Sequence, residues 1–414
     1  MSRGFFPAST LFVPEPARSL VPKCGACGLY RQCHSPKMRV DGLGGLKILI
    51  VGEAPGSTED EQGIPFCGKA GNHLQGVLQS LGINMRQDCW ITNALICRPP
   101  NNKISDDRMI GYCRPNVMKT IRELKPYVVI LLGGSAVRSV IGDIWREDVG
   151  PLTRWVGWNI PSQKINAWIC PTYHPSYLLR EDNSVLDLYF AQHLKAALAH
   201  DTRPWETLPE WEKSIEAITD DHAAALVLRQ FAKSGGDVAF DYETTSIKPE
   251  IAGAEAVCAS ACWRGKRTIA FPWFGEVIEA CRELLHSDGC WFIASNMKHE
   301  NRWTKQLFGR RVRHWGWDTM QAAHILDNRE GITGLKFQAF VLLGMPSYDD
   351  HIKAALRAMS GKQTNLAKTE VDLHQLLHYC GTDSLLEYKV AKIQRRIIFP
   401  DGINPFNNLP WTYK

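Results

Sequence analysis

Short apolar runs alternate with amphipathic stretches along most of this 414-residue chain. Leu46 to Val51 is one such run, closed by Gly52, the pattern of a buried strand running into a loop. Trp90 to Ala94, Tyr127 to Leu132 and Ala167 to Cys170 have the same character. Between them, apolar positions recur at helical spacing over Leu74 to Leu81, Val117 to Leu124 and Ser135 to Ile141, and Leu186 to Ala199 reads as a closing helix. Strands alternating with helices predict a layered α/β domain with a mainly parallel sheet. Asp201 to Glu210 holds two prolines and several charges and marks a boundary. A second alternation follows. Asp237 to Tyr242, Ala256 to Cys262 and Arg267 to Phe271 predict a three-stranded meander, and Trp291 to Ala294 a later strand. Helices are expected at Thr319 to Leu326, Leu335 to Leu343, Leu373 to Leu377 and Ser384 to Arg396. The resulting division is a Pro- and Ser-rich arm over 1–22, a first domain over 23–200, a linker over 201–214 and a second domain over 215–414.

With 44% apolar residues, each half has enough to bury a core. A net charge of +5 permits nucleic-acid binding through local basic patches without demanding it. Arg98, Lys103, Arg180, Lys298 and Arg302 are the phosphate-contact candidates. No apolar run reaches the length needed to span a bilayer, and the first residues lack the apolar stretch of a secretory signal. The expectation is a cytoplasmic protein without a membrane partner. In that reducing setting the thirteen cysteines suit metal ligation or burial better than disulfides.

Cys24 and Cys27 form a C-x-x-C pair just ahead of the first domain, and Cys97 and Cys113 follow the Trp90 strand. Two close thiolates and two distant ones can close a four-sulfur cage for either zinc or an iron–sulfur cluster, and spacing does not separate the two. Cys33 competes as a ligand. Gly52-Glu53-Ala54-Pro55-Gly56 follows a strand, where a glycine-rich turn lets backbone amides approach a ligand. Phe66 offers a flat wall, Asn93 both a donor and an acceptor, and His174 a hydrogen bond to developing negative charge. In the second domain, Asp241 and Glu243 alternate on one strand and so share a face. Asp383 stands one helical turn after Tyr379. Converging carboxylates of this kind suit two-metal phosphodiester hydrolysis.

Residues 24 to about 198 resemble the family four uracil-DNA glycosylases. The resemblance rests on Glu53-Ala54-Pro55-Gly56, Glu59-Asp60, Pro65-Phe66-x-Gly68-x-Ala70-Gly71, Asn93 and His174-Pro175-Ser176-Tyr177-Leu178-Leu179-Arg180. It implies a three-layer α/β/α fold and a structural 4Fe–4S cluster on Cys24, Cys27, Cys97 and Cys113, leaving Cys33, Cys67, Cys89 and Cys170 outside the ligand set. By the same resemblance Phe66 stacks on an extruded uracil, Asn93 reads its edge and His174 stabilises the departing base. Ser176, Leu178 and Arg180 meet the DNA, with Leu178 wedged into the vacated stack. Glu53 and Glu59 guide the attacking water. Ala54 lines the uracil site where other uracil glycosylases carry a water-activating Asp. Cys67 departs from the family's usual aliphatic residue.

Residues of about 215 to 400 resemble the 3′–5′ exonuclease domain of family A DNA polymerases. Phe240-Asp241-Tyr242-Glu243-Thr244-Thr245, Asn296-x-Lys298-x-Glu300 and Tyr379-x-x-x-Asp383 carry the likeness. It implies an RNase H-like α/β fold, with Asp241, Glu243, Glu300 and Asp383 holding two Mg²⁺ (or Mn²⁺), Tyr379 orienting the water and Asn296 contacting DNA. Glu300 departs from the Asp of cellular members, and Asp318 reads as the cap of the following helix. Together the two likenesses imply a bifunctional, phage-type enzyme of DNA repair and replication. It would act on uracil-containing DNA and on 3′ ends, in a bacterial host's cytoplasm if phage-encoded. It would serve a separate family A-type polymerase as a proofreading subunit. The competing reading is a uracil-DNA binding or replisome accessory protein in which only the exonuclease half turns over.

Overall fold

The computed structural model describes residues 21–349, 352 and 371–400. The expected arm over 1–22 lies, up to residue 20, outside the described residues. The rest divides into two compact units, one of 21–209 with Phe340–Ser347 and one of Glu210–Ala339 with the described residues from Tyr348 onward.

The first unit is built on a five-stranded sheet of β1 (Ile48–Gly52), β2 (Cys89–Asn93), β3 (Val128–Leu132), β4 (Ile160–Ser162) and β5 (Ala167–Thr172), in the order β2-β1-β3-β5-β4. All neighbours are parallel except β4, which runs against β5. Its helices are α1 (Cys24–Cys27), α2 (Ser57–Gln62), α3 (Lys69–Ser80), α4 (Met85–Asp88), α5 (Arg108–Leu124), α6 (Gly134–Ile144), α7 (Pro175–Glu181) and α8 (Ser184–Leu198). The four parallel strands are almost wholly buried, as a sheet covered on both faces requires. Ile50, Ile91 and Ile130 pack with Leu74 and Leu78 of α3 and Phe190 and Leu194 of α8. β4 was not expected: it has three residues, too few to show a period, and contains Pro161. Proline lacks the ladder donor and is tolerated there because β4 is an edge strand. From β1 the chain winds to β2 on one side and β3 on the other, so a crevice opens at the C-terminal ends of these strands, the usual ligand position in such sheets.

The second unit has a six-stranded sheet of β6 (Ile215–Ala217), β7 (Gly236–Thr244), β8 (Ala256–Trp263), β9 (Arg267–Pro272), β10 (Cys290–Ala294) and β11 (Trp315–Asp318), ordered β11-β10-β7-β8-β9-β6. The meander β7-β8-β9 is antiparallel, and β10 and β11 continue parallel to β7. That mixture is the sheet of an RNase H-like fold. Helices α9 (Asp221–Ser234), α10 (Glu276–Leu285), α11 (Lys298–Phe308), α12 (Thr319–Leu326), the part of α13 (Leu335–Leu343) up to Ala339, and α14 (Leu373–Ile398) follow. One face of the sheet packs on α9 and α10 through Phe240, Phe271, Leu228 and Leu284. The other packs on α14 through Ala239, Cys258, Leu376 and Leu377. The two helices expected at Leu373 to Leu377 and Ser384 to Arg396 are one. The intervening His-Tyr-Cys-Gly-Thr-Asp stretch has weak helix propensity, but burial against the sheet overrides it. Gly381 is needed there, because a Cβ would come within 2.4 Å of Ile215.

Candidate active sites

The crevice of the first unit gathers residues from four strand ends. Glu53 follows β1, Asn93 ends β2, Ser135 lies in the first turn of α6 after β3, and His174 follows β5. Gly52 and Asn93 are register partners. A Cβ on Gly52 would fall 2.4 Å from both Asn93 Oδ1 and the Phe66 ring, so only glycine lets these two meet over the strand end. Phe66 sits at φ 54°, and its carbonyl accepts from Arg86 at 3.1 Å. Its ring centroid stands 6.1 Å from that of His174, at 37°. Thus the expected stacking wall, edge reader and histidine are brought together.

His174 caps α7: its Nδ1 accepts from the Ser176 amide at 3.2 Å and lies 2.7 Å from Ser176 Oγ. An accepting Nδ1 leaves the ring proton on Nε2. Burial holds the imidazole below its ordinary pKa, against the opposing charge of Glu53. A neutral Nε2–H donor results.

The two glutamates differ. Glu53 Oε2 accepts from Ser135 Oγ at 2.9 Å. Glu59 accepts from the Gly56 amide at 3.1 Å and the Gly68 amide at 2.9 Å, clamping the loops on either side of α2. Each oxygen of Glu59 thus accepts one backbone amide, whereas Glu53 accepts from a side chain. Leu178 requires correction: it is 2% exposed and packs in the sheet core, so it is not available to wedge into DNA. Leu179 beside it is 49% exposed. Arg180 is exposed, with Nη1 3.4 Å from Ser176 Oγ. Ala54 packs toward the cysteine-bearing cluster.

Cys24 and Cys27 on α1, Cys97 after β2 and Cys113 on α5 line one cavity with Leu29, Tyr30 and Ile96. Cys97 Sγ accepts from the Lys37 amide at 3.3 Å, and Cys113 Sγ from Asn116 at 3.5 Å. Burial pushes the Cys97 thiol up to about 12, and Cys33 and Cys113 add to it, so Cys33 lies beside Cys97. Among the described residues no three of these sulfurs lie within 4.8 Å of one another. The four thiols border a common space that a sulfur-ligated group can occupy. Asp60, buried on α2, accepts from the His34 and Ser35 amides at 3.1 and 2.8 Å and lies 3.8 Å from Arg98.

In the second unit β7 and α14 bring the acids together. Ligand atoms of Asp241, Glu243 and Cys380 lie within 4.8 Å of one another. Ser260 of β8, opposite Asp241 in the sheet, donates to the Cys380 carbonyl at 2.7 Å and so ties α14 to β8 beside Asp241. Burial, then the charge of Asp383, lifts Asp241 to about 8. Burial likewise raises Glu243, whose next cause is Asp241. Asp383 is raised by burial against the pull of Lys336, and its carboxylate accepts from Tyr348, with Tyr379 as a further donor. Such mutual elevation of buried carboxylates fits a site built for divalent cations and hard oxygen ligands. Glu300 on α11 is 3% exposed, raised by burial and by Asp241, and its Oε2 has no hydrogen-bond partner.

Asn296 sits at φ 73°, and Asp318 holds this turn by accepting from the Asn296 and Met297 amides while capping α12 through Met320 and Gln321. Arg302 is paired with Glu250, and Arg98 with Asn102, whereas Lys103 and Lys298 are exposed. Sequence reading missed Cys380, Tyr348, Lys336 and Glu387. Only Glu387 carried a signal, standing one helical turn beyond Asp383.

The model of the uracil DNA glycosylase superfamily matches residues 42–200. The type-4 uracil-DNA glycosylase of Pyrobaculum aerophilum is 36% identical over 166 residues, 39% of this chain and 82% of that protein. A DNA polymerase of Bacillus phage SP01 is 23% identical over 360 residues, 78% of this chain and 37% of that protein. Such a match runs through both units, since neither holds that share of the chain. Among solved structures, Brucella melitensis NrnC matches with 15% identity and a TM-score of 0.32, over 45% of this chain and 81% of that one. No helix of the described residues is long and apolar enough to cross a membrane. With more than four fifths of the Pyrobaculum protein matched through its first unit, the chain belongs to the type-4 uracil-DNA glycosylase family.

Proposed function

We propose that the chain joins a uracil-excising DNA glycosylase to a divalent-cation-dependent 3′–5′ exonuclease. The observation that carries the reading is the double convergence: Phe66, Asn93 and His174 around Gly52, and Asp241, Glu243 and Asp383 between β7 and α14. In the first unit a base turned out of the duplex lies on Phe66 while Asn93 pairs with its edge. As the bond from the sugar C1′ to the base nitrogen breaks, the electron pair moves into the uracil ring. The His174 Nε2–H then donates to the oxygen that gains charge. Ala54 offers no base, so Glu53, held by Ser135, guides the water to the sugar. Leu179 takes the wedge position, with Ser176 and Arg180 at the DNA. Cys24, Cys27, Cys97 and Cys113 hold a 4Fe–4S cluster in a structural role, a reading supported by their lining one cavity and by the likeness to the type-4 glycosylases.

In the second unit Asp241, Glu243, Glu300 and Asp383 hold two Mg²⁺ or Mn²⁺. Such cations activate water and stabilise the leaving oxygen. The Tyr379 hydroxyl orients the water, and Asn296 meets the 3′ strand. Similarity to a phage DNA polymerase through both units supports placing the two activities at replicating DNA, in the service of a separate polymerase. Given an oligonucleotide with one internal uracil, the protein is expected to release uracil with or without EDTA and to trim the 3′ end only without it. Trimming at full rate in EDTA would remove the metal-dependent reading, and absence of uracil release would leave the first unit a binder.

A further inference from the structure

The acids of the second unit outnumber those the exonuclease motifs account for. Glu387 lies on α14 one turn past Asp383 and is 1% exposed. Its Oε1 accepts from the Ser295 amide at 2.7 Å, at the end of β10. Its Oε2 is buried and has no hydrogen-bond partner. Glu300 Oε2 is in the same condition. Both side chains lie in the field of Asp241, and Glu387 also in that of Glu300 and Asp383.

A tether for the Ser295 amide needs one acceptor oxygen, which an asparagine or glutamine supplies without burying a charge. A carboxylate with one oxygen spent and the other bare beside three further acids makes sense where a cation arrives. The position also fits its neighbour. Glu300 stands on α11, directly after the turn that Ser295 opens, so Glu387 braces that turn with one oxygen and keeps the other buried within the field of the same acids.

We propose that Glu387 is a fifth acidic group of the metal centre, and that its bare Oε2 acts with that of Glu300 on one of the two divalent cations. The proposal rests on the exonuclease reading above and deepens it. It also accounts for a Glu at position 300: the acids bearing on that cation come from α11 and α14 together, so one longer side chain is accommodated.

The test uses the full chain, stripped with EDTA and titrated with Mn²⁺, followed by calorimetry and by the paramagnetic resonance of free Mn²⁺. Wild type is expected to bind two ions, and Asp241→Asn to lose that binding. Glu387→Gln is expected to keep one ion and to bind the other about 10- to 100-fold more weakly. Glutamine retains an acceptor for the Ser295 amide, so this variant melts no lower than wild type in EDTA while its Mn²⁺-induced rise in Tm shrinks. If Glu387→Gln does melt lower in EDTA, Glu387→Asp is titrated instead, with weakened binding again the expected result. Wild-type isotherms and a wild-type Mn²⁺ rise in the variant would reduce Glu387 to a tether and leave the exonuclease reading intact. No Mn²⁺ uptake by wild type would overturn both.

Discussion

His174 shows how much a single hydrogen bond decides. Because Nδ1 is spent on the Ser176 amide and burial keeps the ring neutral, the one donor left is Nε2–H. Removing such a donor to a developing oxyanion costs about 10²- to 10³-fold. His174→Ala is therefore expected to slow uracil release by about that factor, read in single-turnover assays, and a wild-type rate would refute the leaving-group role. The glutamates separate by a different measurement. Glu59 accepts two backbone amides, and hydrogen bonds to charged groups are worth about 1.5–3 kcal/mol each. Glu59→Gln presents an amide N–H where an amide N–H already points and should lower Tm by about 5 °C. Glu53→Gln should leave Tm unchanged and slow excision. The reverse pattern would return the water to Glu59. The family motifs group His174, Phe66 and Asn93; Asn93 and His174 stand at strand ends that the apolar runs predict, and the Phe66 loop between α2 and α3 brings its ring beside both. Sequence could not assign Glu59 or Leu178, since what each side chain touches depends on backbone amides and core neighbours from other segments.

At the scale of elements, most strands and helices were legible because their apolar periods are long enough to count. The strands β4, β6 and β11 escaped because they have three or four residues each, and the helices α9, α10 and α11 were also not expected. The unbroken α14 was hidden because its weak middle is held by the sheet rather than by propensity. That same packing makes the acid cluster costly. Asp241 is held up to about 8 against roughly 3.9 in an unfolded chain. Between those values the folded state keeps a proton the unfolded state has lost. This contribution to stability is full below about pH 4 and is lost as pH rises toward 8. In EDTA, wild type should melt progressively lower than Asp241→Asn as pH goes from 5 to 8, with the gap widening by about 5 °C or more. A gap independent of pH would contradict the burial of that carboxyl.

At the scale of the whole molecule, the two proposed chemistries use separate residues and make separate demands on cations. Asp241→Ala should abolish 3′ trimming and leave uracil release at the wild-type rate, while His174→Ala should do the opposite, each measured on the same labelled oligonucleotide. Loss of both activities from either substitution would mean that the halves do not work independently.

Within the first unit, Asp60 links the stretch after Cys33 to the loop of Phe66. It grips the amides just beyond Cys33 and sits in the same short helix that Glu59 clamps to the loop bearing Phe66. Any displacement of the stretch after Cys33 would thus reach the aromatic ring through one short helix, so a substitution at Asp60 is felt in both places at once.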